Sequence, residues 1–505
     1  MRWQLSLNWA LCLVFIVFKL LLASPNSSNI SLVKNVTTIM IKDDNPIGLS
    51  FEFFELPNYL TKVDNTKQCL KNLETALGSP IAFRIGGTTQ DRAAYAPNLS
   101  VPIKNNLTKN SLVPNNITYG PKYFQIASQL DGPTTIGVNR RENNLNNAII
   151  AVQEALKTVK NLYAIELGNE PEFWGRRSPI AKNSTWNTKT DAKSQILWQK
   201  ELLRATGAYK LVQAGVYLKN DWSVSKLAQE ILAAKMMGHV KSFGRHAYPQ
   251  SACGKSKTSL PELMSHKNID RFLSFYAREV KMVNDLKIPY HLSETNSATC
   301  GGGGVSPTIG AGLWLIDYTL QALKIGVSRI YFHQGTVGDS PYSFWGNSKV
   351  FAPYYGVFFV SSALKRAKHF NILNTSDANI AAYAFYRGSK LLRVLIYNSK
   401  YYSSSLSNKK TLKKGVGTKS TNPRPINYFI LNGLSKFNYG DVLRLTARDA
   451  HIQQINETGP TIGKSQFFAS NCSLKAPFQY ENVEISNGTL KVQVNAAEAV
   501  LISFS

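Results

Sequence analysis

Apolar positions in the first two thirds of the chain alternate between two patterns. Short apolar runs bounded by turn residues, typical of buried strands, cover 49–54, 81–85, 134–138, 162–167, 211–217, 240–246, 288–292 and 329–332. Stretches with helical periodicity lie between them and include 144–159, 224–237, 272–286 and 309–323. Eight such alternations predict an α/β protein with a closed (β/α)8 TIM barrel over residues 45–368. An open doubly wound sheet is the alternative, but no glycine-rich nucleotide loop opens the first helix.

The pattern changes near residue 369, where short strands separated by turns replace the helices. Strands are predicted at 381–385, 391–397, 428–431, 442–445, 483–485 and 490–494, with a loop rich in Ser, Lys and Thr at 403–421. Several strands alternate apolar and polar residues, which predicts one buried and one wet face on each sheet. Residues 369–505 are therefore predicted to form a β-sandwich domain, joined by a strand from about 30–44. The stretch 97–123, rich in Asn, Pro and Ser, is expected to be a surface loop.

The N-terminal residues 1–23 carry an early Arg2, an apolar stretch and one Lys19 before Ala23, the pattern of a cleaved signal peptide. An uncleaved membrane anchor of marginal length is the alternative. Asn-x-Ser/Thr sequons follow at Asn26, Asn29, Asn35, Asn98, Asn106, Asn116, Asn183, Asn374, Asn456, Asn471 and Asn487. These features predict a secreted, extracellular protein that carries N-glycans and has no membrane segment in its mature form.

Four cysteines remain after removal of the predicted signal peptide: Cys69, Cys253, Cys300 and Cys472. An oxidising compartment allows them three pairings. Cys253 and Cys300 each follow a predicted barrel strand at the same rim, which favours a disulfide between them. The alternative is that all four are free and buried. No Cys-x-x-Cys pair or histidine-rich cluster indicates a zinc site.

The chain has a formal net charge of +27. A strongly basic secreted protein is attracted to anionic polymers such as uronic-acid polysaccharides, sulfated glycans or nucleic acid. The basic residues are scattered apart from short pairs such as Lys409-Lys410, so solubility or cell-wall adhesion explains the charge equally well. No nucleic-acid-binding motif is present, and no nucleic-acid partner is predicted.

Two glutamates stand at the ends of predicted strands. Glu170 follows the fourth strand in an Asn-Glu-Pro motif, and Glu294 follows the seventh. The carboxyl ends of the strands carry the chemistry of α/β barrels. Hydrolysis of a glycosidic bond needs two carboxyl groups, one to protonate the leaving oxygen and one to attack or to activate water. We therefore interpret Glu170 and Glu294 as a catalytic pair. Glu166 lies within its strand and Glu172 follows the proline turn, so both are weaker candidates.

The Asn-Glu-Pro motif around Glu170, with Glu294 three strands later, resembles the clan of retaining glycosidases built on (β/α)8 barrels. Together with the runs 83–88 and 293–296, these motifs most resemble glycoside hydrolase family 79, which contains heparanases and fungal and bacterial β-glucuronidases. The resemblance covers roughly residues 45–505. It implies that Glu170 is the acid/base, that Glu294 is the nucleophile, and that neither a metal nor an organic cofactor takes part.

Further residues are predicted to bind the sugar. Asn169 would offer its amide to the hydroxyl beside the anomeric carbon. Tyr248, at the end of strand six, is placed to donate a hydrogen bond to Glu294. The resemblance implies that Tyr342, after strand eight, and backbone N–H groups of the loop 299–304 meet the glucuronate carboxylate. No tyrosine directly follows Glu294, unlike in bacterial relatives.

Weaker predictions concern the neighbouring positions. Glu52 and Thr88, on strands one and two, are expected to contact sugar hydroxyls. Arg84 is interpreted as a buried structural cation near the site. Three aromatic side chains after strands four and six either belong to the site or pack within the protein: Trp174, Trp186 and His246.

Together these features predict a secreted retaining glycoside hydrolase that removes terminal β-linked glucuronic acid, or 4-O-methylglucuronic acid, from glycans by double displacement. Its partner would be a glucuronic-acid-containing glycan. An acidic pH optimum is expected because the nucleophile must be ionised while the acid stays protonated. The alternatives are heparanase-like endo-cleavage of acidic polysaccharide, action on another sugar such as arabinofuranose, and a non-catalytic carbohydrate-binding protein on the same fold.

Overall fold

Eight parallel strands close into a barrel at the centre of the fold. The computed structural model describes residues 27–34, 36–107, 111, 113–182, 185–338, 340–404, 423–453 and 459–505. The barrel strands one to eight are Ile47–Glu52, Ala82–Gly86, Thr134–Val138, Leu162–Leu167, Val212–Tyr217, Val240–His246, Tyr290–Thr295 and Arg329–Gln334. The predicted (β/α)8 barrel is thus confirmed. Strand seven continues three residues beyond its predicted end, so Glu294 lies on the strand itself.

Helices surround the barrel. They span Leu56–Thr61, Thr66–Leu77, Pro121–Ala127, Leu145–Thr158, Thr188–Thr206, Val224–Ala233, Leu260–Met264, His266–Ser274, Ala277–Asp285, Ile309–Lys324 and Ala352–Leu364. Short 3-10 segments are Phe53–Glu55, Thr88–Arg92, Pro171–Phe173, Pro179–Ala181, Met237–His239 and Gly302–Gly304. The prediction of one helix over 272–286 is wrong, because the chain bends at Phe275. Leu273 in the first of the two helices and Val280 in the second are both buried.

Two further sheets form the predicted β-sandwich beside the barrel. The larger runs in the order Thr37–Met40, His369–Ile372, Ile380–Arg387, Lys390–Asn398, Glu498–Phe504, Tyr439–Thr446 and Thr461–Ile462, with Glu481–Glu484 also paired to Tyr439–Thr446. The smaller contains Ser27–Ser31, Ile426–Asn432 and Thr489–Asn495. Ile396, Phe429 and Val492 belong to one apolar core that both sheets share. The sandwich architecture is therefore confirmed.

The central strands of the larger sheet, Ile380–Arg387, Lys390–Asn398 and Glu498–Phe504, are buried on both faces over much of their length. The expectation of one wet face on each sheet is therefore wrong for the centre of this sheet. Its outer side chains Tyr383 and Tyr397 are fully buried in the same core as the barrel helices. Tyr383 donates a hydrogen bond to Asp317 (2.5 Å), and Tyr397 donates to the backbone oxygen of Met264 (2.7 Å). The sheet thus covers helix Ile309–Lys324, which is buried along its length apart from its last residue.

The stretch 97–123 is not a simple surface loop. Strands Ile103–Asn105 and Ile117–Tyr119 pair there and continue onto Ala93–Tyr95 as a small sheet. Tyr119 is buried with its ring 5.0 Å from that of Phe53, so an aromatic contact anchors the insertion despite its polar composition. Two-stranded sheets also form in the later barrel loops: Gln250–Ser251 with Ala298–Thr299, and Trp345–Gly346 with Lys349–Val350.

Two disulfides among the described residues link segments that are distant in sequence. Cys253–Cys300, the predicted pairing, is confirmed and joins the loops after barrel strands six and seven. Cys69–Cys472 joins a barrel helix to the sandwich domain. Among the described residues, no helix has both the length and the apolar character to cross a membrane. The predicted signal peptide at 1–23 lies outside the described residues, as does most of the predicted loop 403–421.

Helices Ile309–Lys324 and Ala352–Leu364 cross at two glycines. A Cβ atom built on Gly356 would lie 2.0 Å from the backbone oxygen of Gly312. The two helices therefore approach so closely that a hydrogen atom fits at this contact and a methyl group does not.

We expect Gly356→Ala to lower the free energy of unfolding by about 1–3 kcal/mol, because the added methyl group forces apart two buried helices. Denaturant unfolding measures this change. Gly238→Ala is the matched control, since a Cβ there meets no atom within 4 Å. Equal stability of Gly356→Ala and the unaltered protein would contradict the close crossing.

Candidate active site

The two predicted glutamates meet at the carboxyl end of the barrel. Glu170 follows barrel strand four, and Glu294 is the fifth residue of strand seven. One carboxylate oxygen of each and a ring nitrogen of His246 all lie within 4.8 Å of one another. Retaining glycosidases place their two carboxyl groups about 5 to 5.5 Å apart, so this spacing suits attack by one group and protonation by the other.

The backbone at Glu170 is strained. Its φ of +46° lies in the left-handed region, which residues with a side chain rarely adopt. The Glu170 N–H donates to the backbone oxygen of Val216 on the adjacent strand five (3.2 Å). Pro171 restricts the chain immediately afterwards. These constraints fix the direction in which the Glu170 side chain leaves the barrel rim.

A buried guanidinium bridges strands two, four and seven. Arg84 donates from Nη1 to Oε2 of Glu294 and from Nη2 to Oε1 of Glu166, both at 2.5 Å. Nη2 also donates to Oδ1 of Asn169 at 2.9 Å. Burial alone would lower the pKa of Arg84, but the carboxylates of Glu166 and Glu294 outweigh burial and raise it. Arg84 therefore stays charged at the centre of the site.

Cationic and hydroxyl groups surround Glu294. The Tyr248 hydroxyl donates to its Oε1 at 2.7 Å, and Nδ1 of His333 lies 3.7 Å from its Oε2. Burial alone would raise the pKa of Glu294. The positive charges of His333 and Arg84, with the hydrogen bond from Tyr248, outweigh burial and hold that pKa well below its usual range. Glu294 is therefore ionised, as a nucleophile must be.

The surroundings of Glu170 act in the opposite direction. Burial and the negative charge of Glu294 raise the pKa of Glu170 above its usual range. Nδ1 of His246 lies 2.9 Å from Oε1 of Glu170, and burial lowers the pKa of His246 to about 4. The imidazole is therefore neutral near pH 7 and does not draw the proton from Glu170 by charge. One carboxyl group keeps its proton while the other is ionised, the division that an acid and a nucleophile require.

Asn169 is held from two sides. Its side-chain oxygen accepts from Arg84, which leaves its NH2 group available to a ligand. Its backbone N–H donates to Oδ2 of Asp91 at 3.1 Å, and the same oxygen accepts from the indole N–H of Trp174 at 2.9 Å. The sequence patterns did not single out Asp91, which lies in a 3-10 turn after strand two. Asp91 thus anchors the loop that carries Glu170.

Comparison with known proteins identifies relatives across most of the chain. Residues 382–501 match the family model described as glycosyl hydrolase family 79 C-terminal beta domain. A β-glucuronidase of Neurospora crassa is 27% identical over 415 residues, which is 72% of this chain and 73% of that protein. A β-glucuronidase of Aspergillus niger is 26% identical over 396 residues, which is 70% of this chain and 71% of that protein.

A solved structure extends the similarity to both domains. The 4-O-α-L-rhamnosyl-β-D-glucuronidase of Fusarium oxysporum 12S is 36% identical and superposes with a TM-score of 0.85. The match covers 92% of this chain and 97% of that protein. This chain belongs to glycoside hydrolase family 79. The resemblance predicted from the motifs around the two glutamates is thereby confirmed.

The remaining predicted sugar-binding residues differ in their contacts and exposure within the family 79 cleft. The ring of Tyr342 lies 5.9 Å from that of His333. Glu52 is engaged within the protein, because its Oε1 accepts from the backbone N–H of Thr89 at 2.8 Å and its Oε2 lies 3.2 Å from Nε2 of His333. Thr88 is exposed at the rim. Glu52 therefore supports the loop and His333, and its role toward a sugar stays a prediction.

His333 is a site residue that the sequence patterns missed. It lies on strand eight, one residue past the predicted end of that strand. Its Nδ1 is 3.0 Å from Oγ of Ser50. Burial alone would lower the pKa of His333, but Glu294 and Glu52 outweigh burial and raise it. The sequence did offer a signal, because a histidine stands directly after the predicted strand eight. Extending that predicted strand by one residue would have placed His333 at the carboxyl end of the barrel, where site residues are expected.

The two tryptophans pack within their loop. Trp174 is 5% exposed, and its ring stacks on that of Trp186 with centroids 5.7 Å apart. The guanidinium of Arg140 lies 4.9 Å from the centroid of the Trp174 ring. Trp174 therefore packs within its loop, but it also lines a cavity beside Glu170, so stacking of Trp174 on a sugar stays a prediction. Glu172 is likewise structural, since it accepts from the backbone N–H of Lys219 at 2.7 Å.

Glu170, His246 and Glu294 also form a group of potential metal ligands among the described residues. Both oxygens of Glu294 already accept hydrogen bonds, from Tyr248 and from Arg84. A cation bound there would share these oxygens with the two donors and would lie close to the positive charge of a buried guanidinium. The donor set thus suits carboxyl-group chemistry better than metal binding.

We expect Tyr248→Phe to raise the pKa of Glu294 by about one unit, because it removes a hydrogen bond to the carboxylate. The acidic limb of kcat/KM for an aryl glycoside should shift to higher pH by the same amount. Tyr354→Phe is the control, since it removes a buried hydroxyl that donates to the distant Cys69 backbone oxygen. An acidic limb that stays in place in Tyr248→Phe would refute the role of this hydrogen bond.

Proposed function

We propose that the protein is a secreted retaining β-glucuronidase that removes terminal β-linked glucuronic acid, or its 4-O-methyl derivative, from glycans. The observation that carries the proposal is the pair of carboxyl groups within 4.8 Å, one kept protonated and one kept ionised. The relatives support the choice of sugar. Those from N. crassa and A. niger are β-glucuronidases, and that from F. oxysporum is a rhamnosyl-glucuronidase.

In the first step Glu170 acts as the acid and Glu294 as the nucleophile. The proton of Glu170 passes to the glycosidic oxygen while Glu294 attacks the anomeric carbon, so the bond to the aglycone breaks and a glycosyl ester forms. In the second step Glu170, now ionised, takes a proton from water as that water attacks the anomeric carbon. Glu294 leaves as a carboxylate stabilised by Arg84 and Tyr248, and the sugar departs with retained configuration.

Sugar binding is assigned to groups beside this pair. The free NH2 group of Asn169 would donate to the hydroxyl next to the anomeric carbon, a contact that strengthens in the transition state. Tyr342 and the loop 299–304 would meet the glucuronate carboxylate. Residues 300 to 304 all have positive φ, and four of them are glycines whose N–H groups no side chain shields.

A glucuronide substituted at O4 is a second candidate substrate. The F. oxysporum relative is a 4-O-α-L-rhamnosyl-β-D-glucuronidase whose structure contains Rha-GlcA. Because that protein matches this chain over both domains, the same disaccharide unit belongs among the substrates to be tested.

Export from the cell is part of the proposal. The asparagines of seven sequons lie within the described residues, and each of them is exposed: Asn29, Asn98, Asn106, Asn116, Asn374, Asn471 and Asn487. Two disulfides suit an oxidising compartment. These observations support secretion and N-glycosylation.

The purified protein should hydrolyse an aryl β-D-glucuronide and leave the matching β-glucoside and α-L-arabinofuranoside intact. Glu294→Gln should lower kcat/KM by a factor on the order of 10³ or more, because the neutral amide cannot form the glycosyl ester. NMR of the first product should show the β-anomer, which inversion would not produce. Tyr354→Phe serves as a control far from the cleft.

Other outcomes of this assay select the alternatives. Internal cleavage of an acidic polysaccharide without release of terminal glucuronic acid would replace the proposal with endo-cleavage. Calorimetric binding of a uronide with no turnover of any substrate would replace it with a carbohydrate-binding protein.

Activity should extend to higher pH than the acidic optimum predicted from the motifs would suggest. Activity requires Glu294 ionised and Glu170 protonated. Because the pKa of Glu294 is lowered and that of Glu170 raised, activity should persist well above the ordinary glutamate value of about 4.3 and fall only as the pH rises through the raised pKa of Glu170. Glu170→Gln should abolish this alkaline limb. An alkaline limb near the ordinary glutamate value would contradict the assignment.

A further inference from the structure

A cavity of about 290 Å³ opens beside Glu170. Loops after barrel strands two, three and four line it, and they contribute Arg92, Arg141 and Phe173 to its wall. These residues take no part in the chemistry described above. Glu170 lines the same cavity, so a group bound here would be next to the acid/base.

The two arginines in the wall have hydrogen-bonding capacity to spare. Nη1 of Arg92 donates to the backbone oxygen of Pro114 at 2.9 Å, and Nε of Arg141 donates to Oγ of Ser178 at 3.0 Å. Neither guanidinium forms an ion pair within the part of the chain that the structure describes. A single bond to an uncharged acceptor orients each side chain and leaves its other N–H groups for a ligand.

The acidic groups of the same wall do not cancel this charge. Burial raises the pKa of Asp91, which interacts electrostatically with Arg141, to about 8. Burial and Glu294 raise the pKa of Glu170 as well. Both carboxyl groups are therefore protonated in acidic solution, and the cavity carries the positive charge of two guanidinium groups.

An aromatic ring completes the wall. Phe173 is 54% exposed, and Nζ of the exposed Lys219 lies 4.7 Å from the centroid of its ring. An exposed ring in a carbohydrate cleft offers a flat surface to the apolar face of a pyranose. The Phe173 ring thus lines the same cavity as the two arginines, and the Lys219 ammonium group is a third cation near it.

We infer that this cavity is a subsite for an anionic sugar, with Arg92 and Arg141 binding its carboxylate or sulfate and Phe173 supporting its ring. The inference rests on the proposed glucuronidase activity and narrows its substrate. The preferred glycan would be one in which the glucuronic acid has a charged neighbour.

The test uses matched oligosaccharides in which the cleaved glucuronic acid is joined to a neutral sugar, to a second uronic acid or to a sulfated sugar. The ratio of kcat/KM for each acidic substrate to that for the neutral one is measured in the full-length protein. We expect a ratio of at least about tenfold for one acidic substrate, because a charge-assisted bidentate contact contributes at this level. Whichever acidic substrate gives the ratio identifies carboxylate or sulfate as the bound group.

Arg141→Met and Arg92→Met should each reduce this ratio about tenfold, and Arg141→Lys should retain part of it because it keeps the charge. Arg278→Met is the matched control, since Arg278 is exposed on helix Ala277–Asp285 and its loss changes the net charge equally. The two methionine variants are independent, so failure of one to fold leaves the other as the test.

Two results would overturn the inference. One is equal kcat/KM for neutral and acidic substrates in the unaltered protein. The other is an equal fall of the ratio in Arg278→Met, which would assign the preference to long-range attraction by the net charge. Hydrolysis of the aryl β-D-glucuronide in the same preparations reports separately on the proposed function, which fails only if that substrate is not cleaved.

Discussion

The buried guanidinium of Arg84 is the interaction on which the candidate active site depends. It bonds to carboxylates on strands four and seven and to the amide of Asn169, so it sets the position of both halves of the site. Loss of one partner from a buried ion pair costs about 3–5 kcal/mol, which makes Glu166 as necessary to the arrangement as Glu294. A Cβ on Gly86 would lie 2.5 Å from Cζ of Arg84, so strand two needs a glycine there.

The pKa values of the two glutamates are shifted in opposite directions because different groups surround the two side chains. Arg84, His333 and Tyr248 stabilise the charge on Glu294, whereas Glu170 faces a neutral His246 and the negative charge of Glu294 itself. This coupling also suits the second step of the proposed reaction. Once Glu294 becomes an ester its charge disappears, so the pKa of Glu170 falls and the residue changes from acid to base.

The sandwich domain braces the side of the barrel. Its larger sheet packs on helices Ile309–Lys324 and Ala352–Leu364, and Cys69–Cys472 ties a third barrel helix to it. Because these helices are buried between two layers, the strands beneath them have little freedom to shift. Donors and acceptors at the strand ends are therefore held in fixed geometry, which electrostatic catalysis requires.

The sequence by itself determined the barrel, the sandwich, the two glutamates and the Cys253–Cys300 pairing, because each depends on local periodicity or on a position just past a strand. Only the tertiary structure decided the roles of Asp91 and His333, since their partners come from strands far apart in sequence. It also decided that the central strands of the larger sheet have no wet face, because strand patterns do not show which element covers a sheet. The protonation states of Glu170 and Glu294 were also decided by the tertiary structure, because burial and the charges of side chains across the barrel set their pKa values.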